Sequence, residues 1–118
     1  MKPRLLRGMV VDVDLEPIKG SETGKTRPCI VVTNDIFNAR VPVIQVVPIT
    51  EWSEKKARVR TNVEIGPTPE NGLSKSSIAD CLQTRPIDRR HRLRKIRGFL
   101  TTQDMAKIDA ALRAVLAL

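Results

Sequence analysis

Residues 20–38 read GSETGKTRPCIVVTNDIFN. A polar loop with two glycines and no apolar anchor runs straight into Arg27, Pro28 and the apolar, largely β-branched run CIVV at 29–32. That run is short enough for a central strand, and Asn34, Asp35 and Asn38 supply turn chemistry after it. Upstream lies GMVVDVDL at 8–15, in which Met9, Val11, Val13 and Leu15 alternate with Val10, Asp12 and Asp14. Period two over that length means a half-buried strand, and Glu16-Pro17 ends it because proline cannot donate to the ladder. Downstream, VIQVVPI at 43–49 is a third strand, and its Pro48 points to an edge or a bulge.

Weaker strands fall at 58–65, 77–82 and 95–100, separated by Pro67, Pro69, Asn71 and Gly72. The last eighteen residues form a helix. Met105, Ile108, Leu112, Val115 and Leu116 recur at spacings of three and four as one apolar stripe. Thr101 with Asp104 has the spacing of a capping box, Leu100 with Met105 that of a hydrophobic staple, and Gly98 marks the turn before them. Six or seven short strands followed by one helix, with no βαβ period, exclude a doubly wound parallel fold. They favour a small curled barrel or strongly bent sheet. A chain of 118 residues fits a single domain spanning 1–118.

Lys and Arg number 21 against 13 acidic residues, a formal charge of +8. Residues 85–97 hold Arg85, Arg89, Arg90, Arg92, Arg94, Lys95 and Arg97 against Asp88 alone, while Lys2, Arg4 and Arg7 form a second cluster. Such clustering focuses a positive potential and concentrates a polyanion. With Phe37, Phe99, Trp52 and no Tyr, the stacking platforms of an RRM or an oligonucleotide-binding barrel are hard to build. Cys29 and Cys81 are too few and too far apart for a zinc site or a secreted disulfide scaffold, so free buried thiols in a reducing compartment are expected. No secretory leader and no bilayer-spanning stretch is legible. The expected location is the cytoplasm.

Taken with Pro48-Ile49-Thr50, GLSKSS at 72–77, QTRPID at 83–88, Arg92-Leu93 and Gly98-Phe99-Leu100, the loop and strand at 20–38 resemble the MazF/PemK/Kid family of toxin endoribonucleases, or mRNA interferases. The resemblance runs from Gly8 to about Leu116, and the blocks G-S-E-x-x-K-x-R-P and N-D-x-x-N carry most of it. It implies a mainly β fold with a C-terminal helix, a small SH3-like antiparallel barrel of the CcdB/PemK type, assembled as a homodimer. It further implies metal-independent, sequence-specific cleavage of single-stranded RNA, no cofactor, and a cognate antitoxin whose acidic C-terminal tail crosses the RNA groove. A related fold carries a toxin that poisons DNA gyrase, so a non-enzymatic nucleic-acid or protein-binding toxin is the alternative. Its mark, loss of the RPC…PIT pair, is not found in this chain.

RNA is cut without metal when its 2′-OH attacks the adjacent phosphorus, leaving a 2′,3′-cyclic phosphate and a 5′-OH. The protein must place the nucleophile, take its proton and stabilise the added charge. Arg27 matches the family's catalytic arginine, whose planar fork can hold a phosphate through two hydrogen bonds. Thr50 matches the threonine beside it, and Glu22 the loop glutamate suited to act as general base. Where several members carry an acid, this chain has Ser76. Expected RNA contacts are Lys19, Lys25, Lys75 and Ser76, with Asn34 and Gln83 reading bases or fixing loops. His91, the only histidine, lies in the RRHRLR run away from every matched position, so a pair of catalytic histidines is excluded by count.

Overall fold

The computed structural model describes residues 4–118, and Lys2 of the N-terminal basic cluster lies outside them. In chain order the elements are β1 (Met9–Asp14), β2 (Thr26–Val31), α1 (Asp35–Asn38), β3 (Val43–Glu51), α2 (Glu54–Ala57), β4 (Asn62–Ile65) and β5 (Ser77–Asp80). A 3₁₀ turn at Cys81–Gln83 then leads to β6 (Arg85–Asp88), α3 (Arg89–Arg92), β7 (Leu93–Phe99) and α4 (Thr102–Leu116). Every strand pairing is antiparallel. The order across the sheet is β4-β5-β3-β2-β1-β7, with β6 also on β3. The expected mainly β fold with a terminal helix is therefore present, with the ladder left open between β4 and β7.

Strand β3 organises the sheet. Its first half, Val43 to Val46, pairs with β6, and Ile49 to Glu51 pair with β5. Pro48 falls at the seam. Gln45 turns its backbone N–H and C=O toward the end of β2, donating to Thr33 Oγ1 and accepting from Val32 N. Alternation points the missing N–H of Pro48 the other way, between the two partners, where no ladder bond is lost. The proline thus marks a change of partner in a central strand.

Strand β1 differs from the half-buried reading. Val10 is as fully buried as Val11 and Val13, because apolar clusters cover both faces of the sheet. One joins Val10, Ile30, Val47 and Ile49 to Ile108 and Ala111 of α4. The other joins Val11, Val13, Cys29, Val31 and Val46 to Leu5 and Ile87. Helix α4 starts where its spacing placed it, with Thr101 Oγ1 accepting from Asp104 N at 3.1 Å. Met105, Leu112 and Val115 pack against the first cluster, but Leu116 stays exposed. Gly98 is not in a turn. It lies within β7, and a Cβ there would collide with the backbone carbonyl of Glu70. Close approach of two backbones, rather than a reversal, requires that glycine.

Candidate active site

The loop at 20–24 is held from two sides. Glu22 closes it locally: its Oε1 accepts from Lys19 N at 2.6 Å, and its own N–H donates to Lys19 O. Gln83 holds it from outside, with Oε1 accepting from Thr23 N at 2.9 Å and Nε2 donating to Ser21 O at 3.0 Å. Gly24 is buried, and a Cβ there would strike the Glu16 carboxylate and the Ile18 side chain. Lys25 follows with φ 65°, a left-handed conformation costly for a residue with a side chain. Its N–H donates to Glu16 Oε2, and its carbonyl accepts from Leu15 N at 2.9 Å.

Arg27 then enters β2 opposite Val13 of β1. Its Nε donates to Gly24 O at 2.8 Å, and its terminal nitrogens make no hydrogen bond among the described residues. On the other side of β2 the register pairs Cys29 with Pro48. Carried two residues further, it sets Arg27 against Thr50. Both side chains are half-buried, and both line two adjoining hollows of about 440 and 210 Å³. A third hollow, about 580 Å³, continues from the first through the shared residues Glu22 and Gln83. The result is a solvent-open track with an arginine fork and a hydroxyl at its middle.

Glu22, Lys25 and Gln83 line the hollow that holds Arg27 and Thr50, and Lys75 lines the smaller one. Lys75 pairs there with Glu51 at 2.7 Å, and its ammonium holds the Glu51 carboxyl below the usual carboxylate range. Gln83 is engaged at both ends of its amide, which makes loop-fixing its structural role. Lys19, Asn34 and Ser76 line none of these hollows. Asn34 caps α1, accepting from Ile36 N at 2.9 Å at the far end of β2 from Arg27. Ser76 is exposed between Lys75 and Ser77, both of which line the small hollow.

Three groups in the main hollow carried no signal in the sequence: Lys56 of α2, Asn62 of β4 and Asp80 at the end of β5. Burial pushes the Asp80 carboxyl above its ordinary value, while the backbone N–H groups of Gln83 and Leu82 and the charge of Lys56 act against the shift. Cys29 and Cys81 are free and buried, and burial pushes both thiols up to about 12. Neither is a nucleophile at neutral pH. A larger hollow, about 630 Å³, lies elsewhere, among Arg4, Arg40, Arg89 and Arg90, and contains none of the expected site residues. Among the described residues no three His, Cys, Asp or Glu side chains gather in a way that could hold a metal ion. No helix there is long and apolar enough to cross a membrane.

Comparison with known proteins identifies the family and agrees with the fold. Residues 6–116 match the family model described as PemK-like, MazF-like toxin of type II toxin-antitoxin system. The chain is 39% identical over 112 residues to the endoribonuclease EndoA of Bacillus subtilis, covering 95% of this chain and 94% of that one. It is 37% identical over 106 residues to the endoribonuclease MazF of Staphylococcus epidermidis, with 90% and 86% covered. In fold it is similar to MazF of Deinococcus radiodurans, at TM-score 0.82 and 19% identity over 99% of this chain and all of that one. It is also similar to a mycobacterial endoribonuclease solved in complex with its cognate antitoxin, at TM-score 0.76 and 24% identity over 97% and 96% of the two chains.

Proposed function

This chain belongs to the PemK-like, MazF-like family and is an endoribonuclease toxin of a type II toxin–antitoxin system; from that premise we propose that it cuts single-stranded RNA at a short preferred sequence, without metal, by attack of the 2′-OH on the adjacent phosphorus. The products are a 2′,3′-cyclic phosphate and a 5′-OH. The observation that carries the proposal is the arginine fork beside a threonine hydroxyl in an open track.

Arg27 holds the non-bridging oxygens with its two terminal nitrogens and stabilises the charge that builds on them. Because Nε is already anchored to Gly24 O, the guanidinium is pre-aimed and loses little freedom on binding. Thr50 orients the 2′-OH or donates to the phosphate. Glu22 accepts the 2′-OH proton through the carboxylate oxygen that Lys19 does not occupy. Arg27 cannot take that proton, since a guanidinium stays charged at any ordinary pH.

Lys25 and Lys75 contact phosphates on either side of the cut, and Gln83 keeps the loop in place to receive the strand. Lys19, Asn34 and Ser76 meet the RNA beyond the three hollows. The whole chain, 1–118, is one toxin domain acting in the cytoplasm as a homodimer, consistent with its two free, buried cysteines. A cognate antitoxin lays an acidic C-terminal tail over the same basic track.

The test is incubation with a long RNA of mixed sequence in EDTA, followed by sequencing of the cleaved ends. Cleavage at a recurrent motif with cyclic phosphate ends, lost in Arg27→Ala and weakened in Glu22→Ala, is the expected result. A requirement for metal, or unchanged cutting by Arg27→Ala, overturns it. Salt-sensitive binding with no product after long incubation favours a non-enzymatic binding toxin instead.

A further inference from the structure

Cleavage requires one further proton, which the 5′-oxygen needs as it departs. Arg27 is a poor source, for the same reason that it is a poor base. A different group in the hollow is suited to the task.

Asp80 ends β5 where the 3₁₀ turn begins, and it lines the hollow that holds Arg27, Thr50 and Glu22. Thr50 pairs with Ile78 across the β3–β5 ladder. Alternation therefore puts Asp80, two residues on from Ile78, on the face that carries Thr50. Asp80 is half-buried, and its own cross-strand partner is Asn62 of β4. Asn62 donates through Nδ2 to Lys56 O at 3.0 Å, whereas its Oδ1 is buried and accepts from no group. An acceptor without a donor, across the ladder from a half-buried carboxyl, favours the form of that carboxyl that carries a proton. Burial acts in the same direction and outweighs the backbone N–H groups of Gln83 and Leu82 and the charge of Lys56, which act against it. A bound phosphate adds negative charge and excludes water, so it strengthens the preference at the moment a donor is required.

We propose that Asp80 is the proton donor to the 5′-oxygen, working against Glu22 as proton acceptor. The assignment rests on the endoribonuclease reading. In the step, the 2′-oxygen to phosphorus bond forms and the phosphorus to 5′-oxygen bond breaks. The 2′-OH proton passes to the Glu22 carboxylate and the Asp80 carboxyl proton to the 5′-oxygen. Exchange with solvent water returns both carboxyl groups to their starting forms.

The test compares single-turnover cleavage of two oligoribonucleotides that differ in one atom, a bridging 5′-oxygen or a bridging 5′-sulfur at the cut. A thiolate leaves without being protonated. Asp80→Asn is expected to slow the oxygen substrate about 10²-fold or more and to cut the sulfur substrate within about tenfold of the unchanged protein. Glu22→Gln slows both. Equal losses on the two substrates for Asp80→Asn, or normal cutting of the oxygen substrate, overturn the assignment. An unchanged protein that cuts neither substrate sinks the endoribonuclease reading itself.

A second measurement needs no variant. The rate on the oxygen substrate falls toward high pH as the donor ionises, and the fall is absent with sulfur. Around Asp80 the charged groups are Lys56 from α2, Arg27 from β2, and Glu16, Glu22 and Lys25 from the loop and its approach. None of these loses its influence when the bridging atom changes, so a fall that persists with sulfur also overturns the proposal.

Discussion

The arginine-rich run at 85–97 and the sparse loop at 20–28 contribute charge in opposite ways. In the run, every guanidinium group among the described residues except that of exposed Arg90 is engaged with the protein itself. Arg85 donates to Leu15 O, Arg89 to Asn38 O, Arg92 to Asp14 O and Glu16 O, and Arg94 to His91 O. Arg97 and Arg94 also pair with Asp12 and Asp14. These side chains fasten β6, α3 and β7 to the rest of the sheet. The loop offers one arginine, anchored at Nε alone. Most of the dense positive charge therefore serves as fastening, and the fork that faces the track lies where charge is thin. The run still contributes long-range potential that concentrates RNA, but most of its arginines already spend donors on the protein.

Five substitutions separate these roles. Arg27→Ala should lower the single-turnover cleavage rate by about 10²- to 10³-fold while leaving the melting temperature close to that of the parent. Arg27→Lys should fall nearly as far, because charge without the fork is not enough. A cleavage rate preserved in either variant would erase the contrast. Gln83→Ala releases Ser21 and Thr23 from outside the loop. It should raise KM about tenfold, equivalent to about 1.4 kcal/mol, with a smaller change in kcat.

Arg92→Ala removes two backbone fastenings. It should cost about 1 kcal/mol in urea unfolding and leave cleavage per folded molecule unchanged, and a loss of activity without a loss of stability would put the run back in the site. The smallest effect on stability belongs to Asp80→Asn, whatever its effect on cleavage. A carboxyl raised in the folded state is favourable when protonated and loses that advantage as pH rises through its folded value. Asn should therefore raise Tm slightly at neutral pH and by nothing near pH 3, where the parent is protonated in both states. A scan of Tm against pH for the two proteins decides it.

Much of this was legible in the residues. Strands β1 to β3 and helix α4 announce themselves through period and capping, and Arg27, Thr50 and Glu22 stand on recognisable blocks. Strand β6 was hidden by Pro86 and its charged neighbours, and the four-residue helices α1 to α3 are too short to show a period. The meeting of Arg27 with Thr50 depends on the β2–β3 register, which no local pattern states. Asp80, Asn62 and Lys56 reach the hollow only because β4, β5 and α2 fold beside β3. Asp80 looks in sequence like any polar strand end. Its burial and its partner give it its chemistry, and both are tertiary.

The change of partner at Pro48 bears on how the molecule opens. Amides of β4 and β5 depend on the second half of β3, while those of β1, β6 and β7 depend on the first half and on β2. The two groups can exchange with deuterium as separate cooperative units. Arg27 belongs to one and Asp80 to the other, with Thr50 just past the divide, so undocking of the β4–β5 unit alone dismantles the reaction centre while most of the sheet stays protected. Thermal inactivation is then expected at a lower temperature than global unfolding.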